Sequence, residues 1–566
     1  MQNIKKKCIF LVDHLYDTIS KYINDHRNIC WAIGLVMVFF SIWIRSSVFI
    51  GTDPSFYYFT AEKILNGKRY YHDFLDYDFP LCFYLYTIPV MLHNITGIEP
   101  ITAFYAFITL TALLGIYAAS LVLKRTSIYS DGILYQWLII GMFFWNFFPI
   151  HTFQMNEIGT KTLLFVSLIT PYLFSFFAEA EHKKLPVYMN IMIGIAAGLA
   201  ICLKPHYVIF PMVMELYFLI KNRNIRHLFR PLTYAMVIVN LLHLAWLLIY
   251  VPEYIFKMIP LITVSYFGIQ DDLLTTFFLI ILGTQSILVF ILLLTYFTLP
   301  RSVYNEILLF AVIAINIILC LEMTASGDQV SITYFFGGLL LIKILLDVWR
   351  CRHTDLFKTY QKVLLIFNLT LLVFINIGNL TPYQFHMQAV PKVIEITKKL
   401  SNGEPIHILS DGNYFPLLFY INNYAYHKAI ALTFLHGAQN TKILYDDQKD
   451  SNTYMSADKA EHFLANLEIE GMIEKNPKII FIDNRMGASL RARKKCTIND
   501  IEYFLGYDAF RDIFKNYEFY DRIIITDSKN LAKYRNDITN DISVYIRKAS
   551  PDAPAKPPLP FQGIFF

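Results

Sequence analysis

Residues 51–80 read GTDPSFYYFTAEKILNGKRYYHDFLDYDFP. The stretch follows directly on a long apolar segment at about 30–50, and it is crowded with acidic and aromatic residues. Polar residues beside lipid need a reason: either a solvated loop or a working site at the membrane boundary. Which of the two applies depends on what surrounds the stretch.

What surrounds it is a membrane protein. Of 566 residues, 55% are hydrophobic, 16% aromatic and only 16% charged, a balance that soluble domains do not show. Apolar runs of about 20 residues, the length that crosses the hydrocarbon, recur along the first two thirds. The formal charge of +5 is small and spread between these runs, so nucleic acid is excluded as a partner. The seven cysteines (Cys8, Cys30, Cys82, Cys202, Cys320, Cys351 and Cys496) form no CxxC or Cys/His ligand set and read as small buried apolar residues. The first apolar segment is long and lacks a small-residue cleavage site, so no removable signal peptide is expected.

Threading the chain so that basic loops stay inside gives about 11 spans. They lie at about 30–50, 101–123, 132–150, 161–178, 187–203, a short one descending to 221, then 232–250, 275–297, 306–322, 331–348 and 363–378. Lys124, Arg125, Lys221, Arg223, Arg226, Arg230, Arg301, Arg350 and Arg352 then fall inside. Asp53, Asp73, Asp76, Asp78, Glu157, Asp271, Asp272, Glu322 and Asp328 fall outside. The piece at 81–92 is too short to span and is expected to lie along the outer surface as a helix. Treating 81–97 as a span would invert the loops up to Lys221.

The fold class is therefore a polytopic α-helical membrane protein with a small α/β extracytoplasmic domain at its C-terminal end. Residues 1–29 form a cytoplasmic amphipathic segment, and 30–378 the transmembrane domain with its outer loop 51–100. Residues 379–549 form the outer domain and 550–566 a Pro-rich tail. In the outer domain PIHILSD, PKIIFIDN, DRIIITD and ISVYIRK read as strands, with ADKAEHFLANLEIEGMIE as a helix between them.

The spans carry almost no charge at mid-depth. Glu215 and His243 are the exceptions, and Lys343 and Asp347 sit near an inner end. Transporters of polar solutes keep ionisable groups or broken helices near the midplane. Here the acids gather at outer span ends, which suits a reaction at the lipid–water boundary.

Within 51–80, Asp53, Tyr57, Ala61, Ile64 and Gly67 fit D-x-x-x-Y-x-x-x-A-x-x-(I/L)-x-x-G. An aromatic, proline-containing piece (Tyr77, Asp78, Phe79, Pro80) and a second surface helix ending near Gly97 follow. This order resembles the first outer loop of GT-C glycosyltransferases. It is similar to the polyprenyl-phosphate-sugar-dependent branch, relatives of protein O-mannosyltransferases and lipid A aminoarabinose transferases (family 39-like). Asn156 with Glu157 after the third span, and Lys204 with Pro205 after Gly194-x-x-x-Gly198, fit as well. The sequence departs from the aminoarabinose branch in having Asp78-Phe79-Pro80 where that branch has Lys-Pro-Pro.

The resemblance implies a sugar donor linked to a polyprenyl phosphate and a lipid, glycan or protein acceptor at the outer face. Asp53 is the first catalytic candidate, because a carboxylate beside an acceptor hydroxyl or amine can take its proton as the anomeric carbon is attacked. The plain alternative is an N-cap for a helix beginning at Pro54. Glu157 is the second catalytic candidate, positioning the acceptor. No metal ligands are assigned and no cofactor is required, although two carboxylates could share a divalent cation. Lys204 is the candidate for the donor phosphate, against simple snorkelling. His206 and Tyr207 are expected beside it, and Tyr57, Tyr58, Arg69 and Asp78 are candidate contacts to sugar or phosphate. Glu322 reads as an acid at the outer mouth, and His407, His427 and His436 as core or surface histidines.

Rival readings are a lipid-linked-sugar flippase or polar-solute transporter, an O-antigen polymerase or ligase, and a non-catalytic scaffold. A flippase predicts midplane charges or repeated halves, and a polymerase a large outer loop between late spans. The basic inner loops fit a bacterial inner membrane with the N-terminus cytoplasmic and the C-terminal domain periplasmic. The outward sequons at Asn94 and Asn379 leave an endoplasmic-reticulum protein open.

Overall fold

A computed structural model describes residues 28–45, 50–76, 78–148, 159–267, 302–322, 327–350, 389–410, 417, 419–421, 432–484, 500–524 and 541–548. The expected amphipathic segment 1–28 falls almost wholly outside these, as do the spans expected at 275–297 and 363–378, Glu157, and the tail. By their contacts the residues form two units: 1–48, 102–244 and 272–381 in the first, and 49–101, 245–271 and 382–566 in the second.

The elements among the described residues of the first unit are all helices. Among the described residues of the chain, four helices are long and apolar enough to cross a membrane: Pro100–Leu123, Lys161–Ala180, Pro231–Tyr250 and Val303–Glu322. Shorter apolar helices run over Ile29–Arg45, Gly132–Phe147, Val187–Ile201 and Ile209–Asn222. With the Gly327–Arg350 helix, the set matches the expected spans in order. The bounds differ by a few residues: Gly132–Phe147 and Val187–Ile201 end before the expected 150 and 203, and Lys161–Ala180 and Gly327–Arg350 run past the expected 178 and 348.

Small residues let these helices approach closely, as packing between apolar helices in lipid requires. A β-carbon on Gly115 would overlap the Ser167 carbonyl, and one on Gly338 would overlap the Trp145 ring. The Gly194-x-x-x-Gly198 pair lies against the Pro231–Tyr250 helix, where a β-carbon on Gly198 would stand 2.7 Å from that of Val239. Its role is therefore helix packing.

Polar contacts fix which helix ends lie on which side of this unit. Arg45, at the end of its helix, donates to the carbonyl of Phe147, at the end of another. Lys204, just past Val187–Ile201, meets Glu322 at the end of Val303–Glu322. On the opposite side, Glu181 follows the Lys161–Ala180 helix and accepts from Ser127 (2.8 Å) and from Tyr304, near the start of Val303–Glu322. There Asn305 also donates to Asp347 at 3.0 Å, and Glu179 meets His227 and Arg230. The ends of Ile29–Arg45, Gly132–Phe147, Val187–Ile201 and Val303–Glu322 thus lie opposite the end of Lys161–Ala180.

The second unit combines 49–101 with the C-terminal residues. The helices Thr52–Leu65 and Leu81–Thr96 pack on each other, the second ending at Gly97 in the left-handed region (φ 71°). Tyr58 and Phe59 place their rings 5.3 and 4.8 Å from that of Phe419. Strands fall on all four expected stretches and form one sheet: β1 (Ile406–Leu409), β2 (Ile479–Asp483), β3 (Tyr517–Ile524, beginning four residues before the expected Asp521) and β4 (Asp541–Arg547), in the order β1-β2-β4-β3. The β1–β2 pair is parallel, and β2–β4 and β3–β4 are antiparallel. Helices Thr433–Leu444 and Asn452–Lys475 pack on each other and on Ile259–Phe267. His407 and His436 are buried, as core histidines would be.

Candidate active site

In the second unit the site candidates sit on the helix Thr52–Leu65. This helix starts two residues earlier than the sequence suggests, with Gly51 extended at the N-cap and Thr52 already helical. Asp53 is therefore a half-buried acid in the first turn, not the capping residue, and the N-cap alternative is corrected. The four free amides of that turn favour a negative charge there. Tyr57 lies four residues on, so both side chains share one helix face.

Tyr57 is fully buried, and its hydroxyl donates to Asp78 Oδ2 at 2.7 Å. The backbone N–H of Asp78 donates in turn to Asp76 Oδ1 at 2.7 Å, and the Tyr70 hydroxyl donates to the Asp76 carbonyl. Asp76 and Asp78 are both buried rather than solvated loop acids. Tyr58 is also buried, and burial together with the charge of Glu62 raises its phenol well above the usual range. Arg69 stands apart from this cluster: it is exposed, and its backbone N–H donates to Asp73 at 2.7 Å.

In the first unit the turn after Val187–Ile201 carries Lys204, His206 and Tyr207, with Pro205 opening a short 3-10 helix. Lys204 is 8% exposed, and its ammonium donates to Glu322 Oε1 at 2.8 Å. His206 bonds the same carboxylate oxygen. Tyr207 is fully buried, with the Lys204 ammonium 5.7 Å above its ring and the Phe165 ring 4.2 Å away. Burial, helped by the charges of Lys204 and Lys161, lowers the His206 pKa against the opposing pull of Glu322. A neutral imidazole that holds a carboxylate donates its ring N–H to it.

The structure thus brings Lys204, His206 and Tyr207 together in one unit, and Asp53, Tyr57 and Asp78 onto one helix and its adjoining loop in the other. The sequence placed Glu322 at the outer mouth without giving it these partners, and here it anchors both Lys204 and His206; Lys161 was not singled out. Lys161, 5% exposed at the start of the Lys161–Ala180 helix, has the look of an ordinary residue at a span end. Only its Gly159-Thr160 approach marks it. Among the described residues, no group of three His, Cys, Asp or Glu side chains is placed to hold a metal ion.

No family model matches this sequence, and no curated protein matches it. Among solved structures, the chain is similar to ArnT from Cupriavidus metallidurans bound to undecaprenyl phosphate. That similarity has a TM-score of 0.49 at 12% identity, over 93% of this chain and 99% of that one. The apo state of the same protein gives 0.48 at 12% identity, over 93% and 98%. At this identity no side-chain role passes from that protein to this one.

Proposed function

We propose that this chain is a GT-C-type membrane glycosyltransferase that moves a sugar from a polyprenyl-phosphate donor to an acceptor at the outer face. The observation that carries the reading is the buried Lys204 ammonium, seated with His206 on Glu322 where apolar helices end. A cation held there suits a phosphate whose lipid tail lies among those helices, and an ammonium has three donors, of which Glu322 takes one.

The acceptor oxygen or nitrogen attacks the anomeric carbon as the bond from that carbon to the phosphate oxygen breaks. The bonding pair leaves on the phosphate, and the acceptor proton passes to the Asp53 carboxylate and then to water. Lys204 offsets the charge gained by the departing polyprenyl phosphate. His206 steadies Glu322 and so fixes the ammonium. Asp78 holds Tyr57, one turn along from Asp53, and keeps that helix face in place. In this reading the loop 51–100 and the sheet-bearing domain are periplasmic, and Glu157 assists at the acceptor.

The test is deletion of the gene followed by mass spectrometry of envelope glycans and glycolipids. A sugar missing from one acceptor, with its polyprenyl-phosphate form accumulating, is expected. Restoration by the wild-type gene and not by Asp53→Ala completes the case. An unchanged glycan and glycolipid profile would overturn it.

A further inference from the structure

The elbow between the helices Ile209–Asn222 and Pro231–Tyr250 reads RNIRHLFR at 223–230 and lies on the side of the first unit that carries Glu179. It runs directly into a helix long and apolar enough to cross a membrane, so it stands at the lipid boundary. Two inward contacts fix how it is turned. His227 is buried, bonded to Glu179 and 2.6 Å from Glu215, and Arg230 binds the same two carboxylates. With those side chains held inside, Ile225 and Phe229 stand out, 62% and 60% exposed, beside the exposed Arg223 and Arg226.

Neighbouring cations on this side are already matched. Lys183, Lys221, Arg230 and Lys343 pair with Glu181, Glu306, Glu215 and Asp347 in turn. The guanidiniums of Arg223 and Arg226 have no such partner among the described residues. Arg223 also occupies the left-handed region (φ 50°) at the helix end, where glycine is the usual residue, so its side chain is kept at a conformational cost. Two unmatched guanidiniums beside two outward apolar side chains form an amphipathic surface. A free phosphate would use the arginines and leave Ile225 and Phe229 in water, whereas a lipid uses both. We propose that 223–229 binds anionic phospholipid, with Arg223 and Arg226 on the negative headgroup and Ile225 and Phe229 among the acyl chains. The surface is independent of the transfer chemistry set out above, and neither reading rests on the other.

The test mixes purified full-length protein in detergent with equal amounts of phosphatidylglycerol and phosphatidylcholine, and counts the lipid that stays bound by native mass spectrometry. Wild type should keep the anionic lipid over the zwitterionic one by on the order of tenfold, the scale that two basic residues at a charged surface supply. Arg223→Gln with Arg226→Gln should remove most of that preference at unchanged Tm, and Arg223→Lys with Arg226→Lys should keep it. Lys124→Gln with Arg125→Gln, an exposed basic pair flanked by no exposed apolar residue, should leave it in place. An unchanged preference in the double glutamine variant at Arg223 and Arg226 would overturn the assignment. An equal loss in the variant at Lys124 and Arg125 would make the preference a bulk effect of the basic side and overturn it too. A loss that comes with a lower Tm and is not spared by lysine would assign the two arginines to structure. Displacement of the bound phosphatidylglycerol by inorganic phosphate would make the elbow an anion site with no lipid of its own, and the proposal would fall.

Discussion

The Lys204 ammonium donates to Glu322 Oε1 at 2.8 Å across 118 positions of sequence, and the two side chains are only 11% and 5% exposed. Breaking a buried ion pair by removing one partner strands the other charge and costs about 3–5 kcal/mol. Glu322→Gln is therefore expected to lower Tm and to cut transfer at least tenfold, since the ammonium loses its counter-charge and shares with His206 only a neutral amide oxygen. Thermal unfolding and initial rates in proteoliposomes measure this. Wild-type rates with Glu322→Gln would mean that Lys204 needs no anchor, and the positioning role would fall.

Asp53 allows activity and stability to be separated. Because Gly51 holds the N-cap position, Asp53→Asn keeps the helix start intact, and the charge it removes from the first turn is worth about 0.3–1 kcal/mol through the helix dipole. Transfer should nevertheless fall by about 10²–10⁴, the usual contribution of a general base. A drop in Tm out of proportion to that small term, with activity restored at low temperature, would assign Asp53 to structure instead.

These two residues also mark how far the sequence could be read. The Thr52–Leu65 helix and its successor ending at Gly97 followed from a spaced motif and a left-handed glycine, both local signals. The four strands were legible because short β-branched runs stood out against polar surroundings. The cap was placed two positions late, at Asp53 instead of Gly51, since Asp-Pro mimics a cap and nothing local shows that Thr52 is already helical. Glu322 was legible only as an acid at the outer mouth, because 118 positions of sequence separate it from Lys204 and only tertiary packing brings it to Lys204 and His206.

The Tyr57–Asp78 bond makes a prediction inside the second unit. Tyr57→Phe removes the donor from a buried carboxylate and should cost about 1.5–3 kcal/mol, the range for hydrogen bonds to charged groups. Asp78→Asn alone should also destabilise, but the double variant should lose less than the sum of the two, because they share one interaction. A double-mutant cycle by chemical unfolding measures this, and strict additivity would mean that the bond contributes nothing.

His227 sets a pH dependence on the opposite side of the first unit. It is buried, bonded to Glu179, and 2.6 Å from Glu215, and Arg230 binds the same two carboxylates. Burial, the largest single influence, lowers its pKa, but the hydrogen bonds and charge of the two glutamates together outweigh it and raise the value above the ordinary 6.5. The folded protein thus holds this proton more tightly than the unfolded chain does. Its contribution to stability is complete below the unfolded value of about 6.5 and is lost as pH rises through the higher folded value. Tm should therefore fall with rising pH above neutrality by more in wild type than in His227→Gln, which carries no titrating group there. Parallel Tm curves for the two proteins across that window would show that His227 is neutral in the fold and that Arg230 alone balances the glutamates.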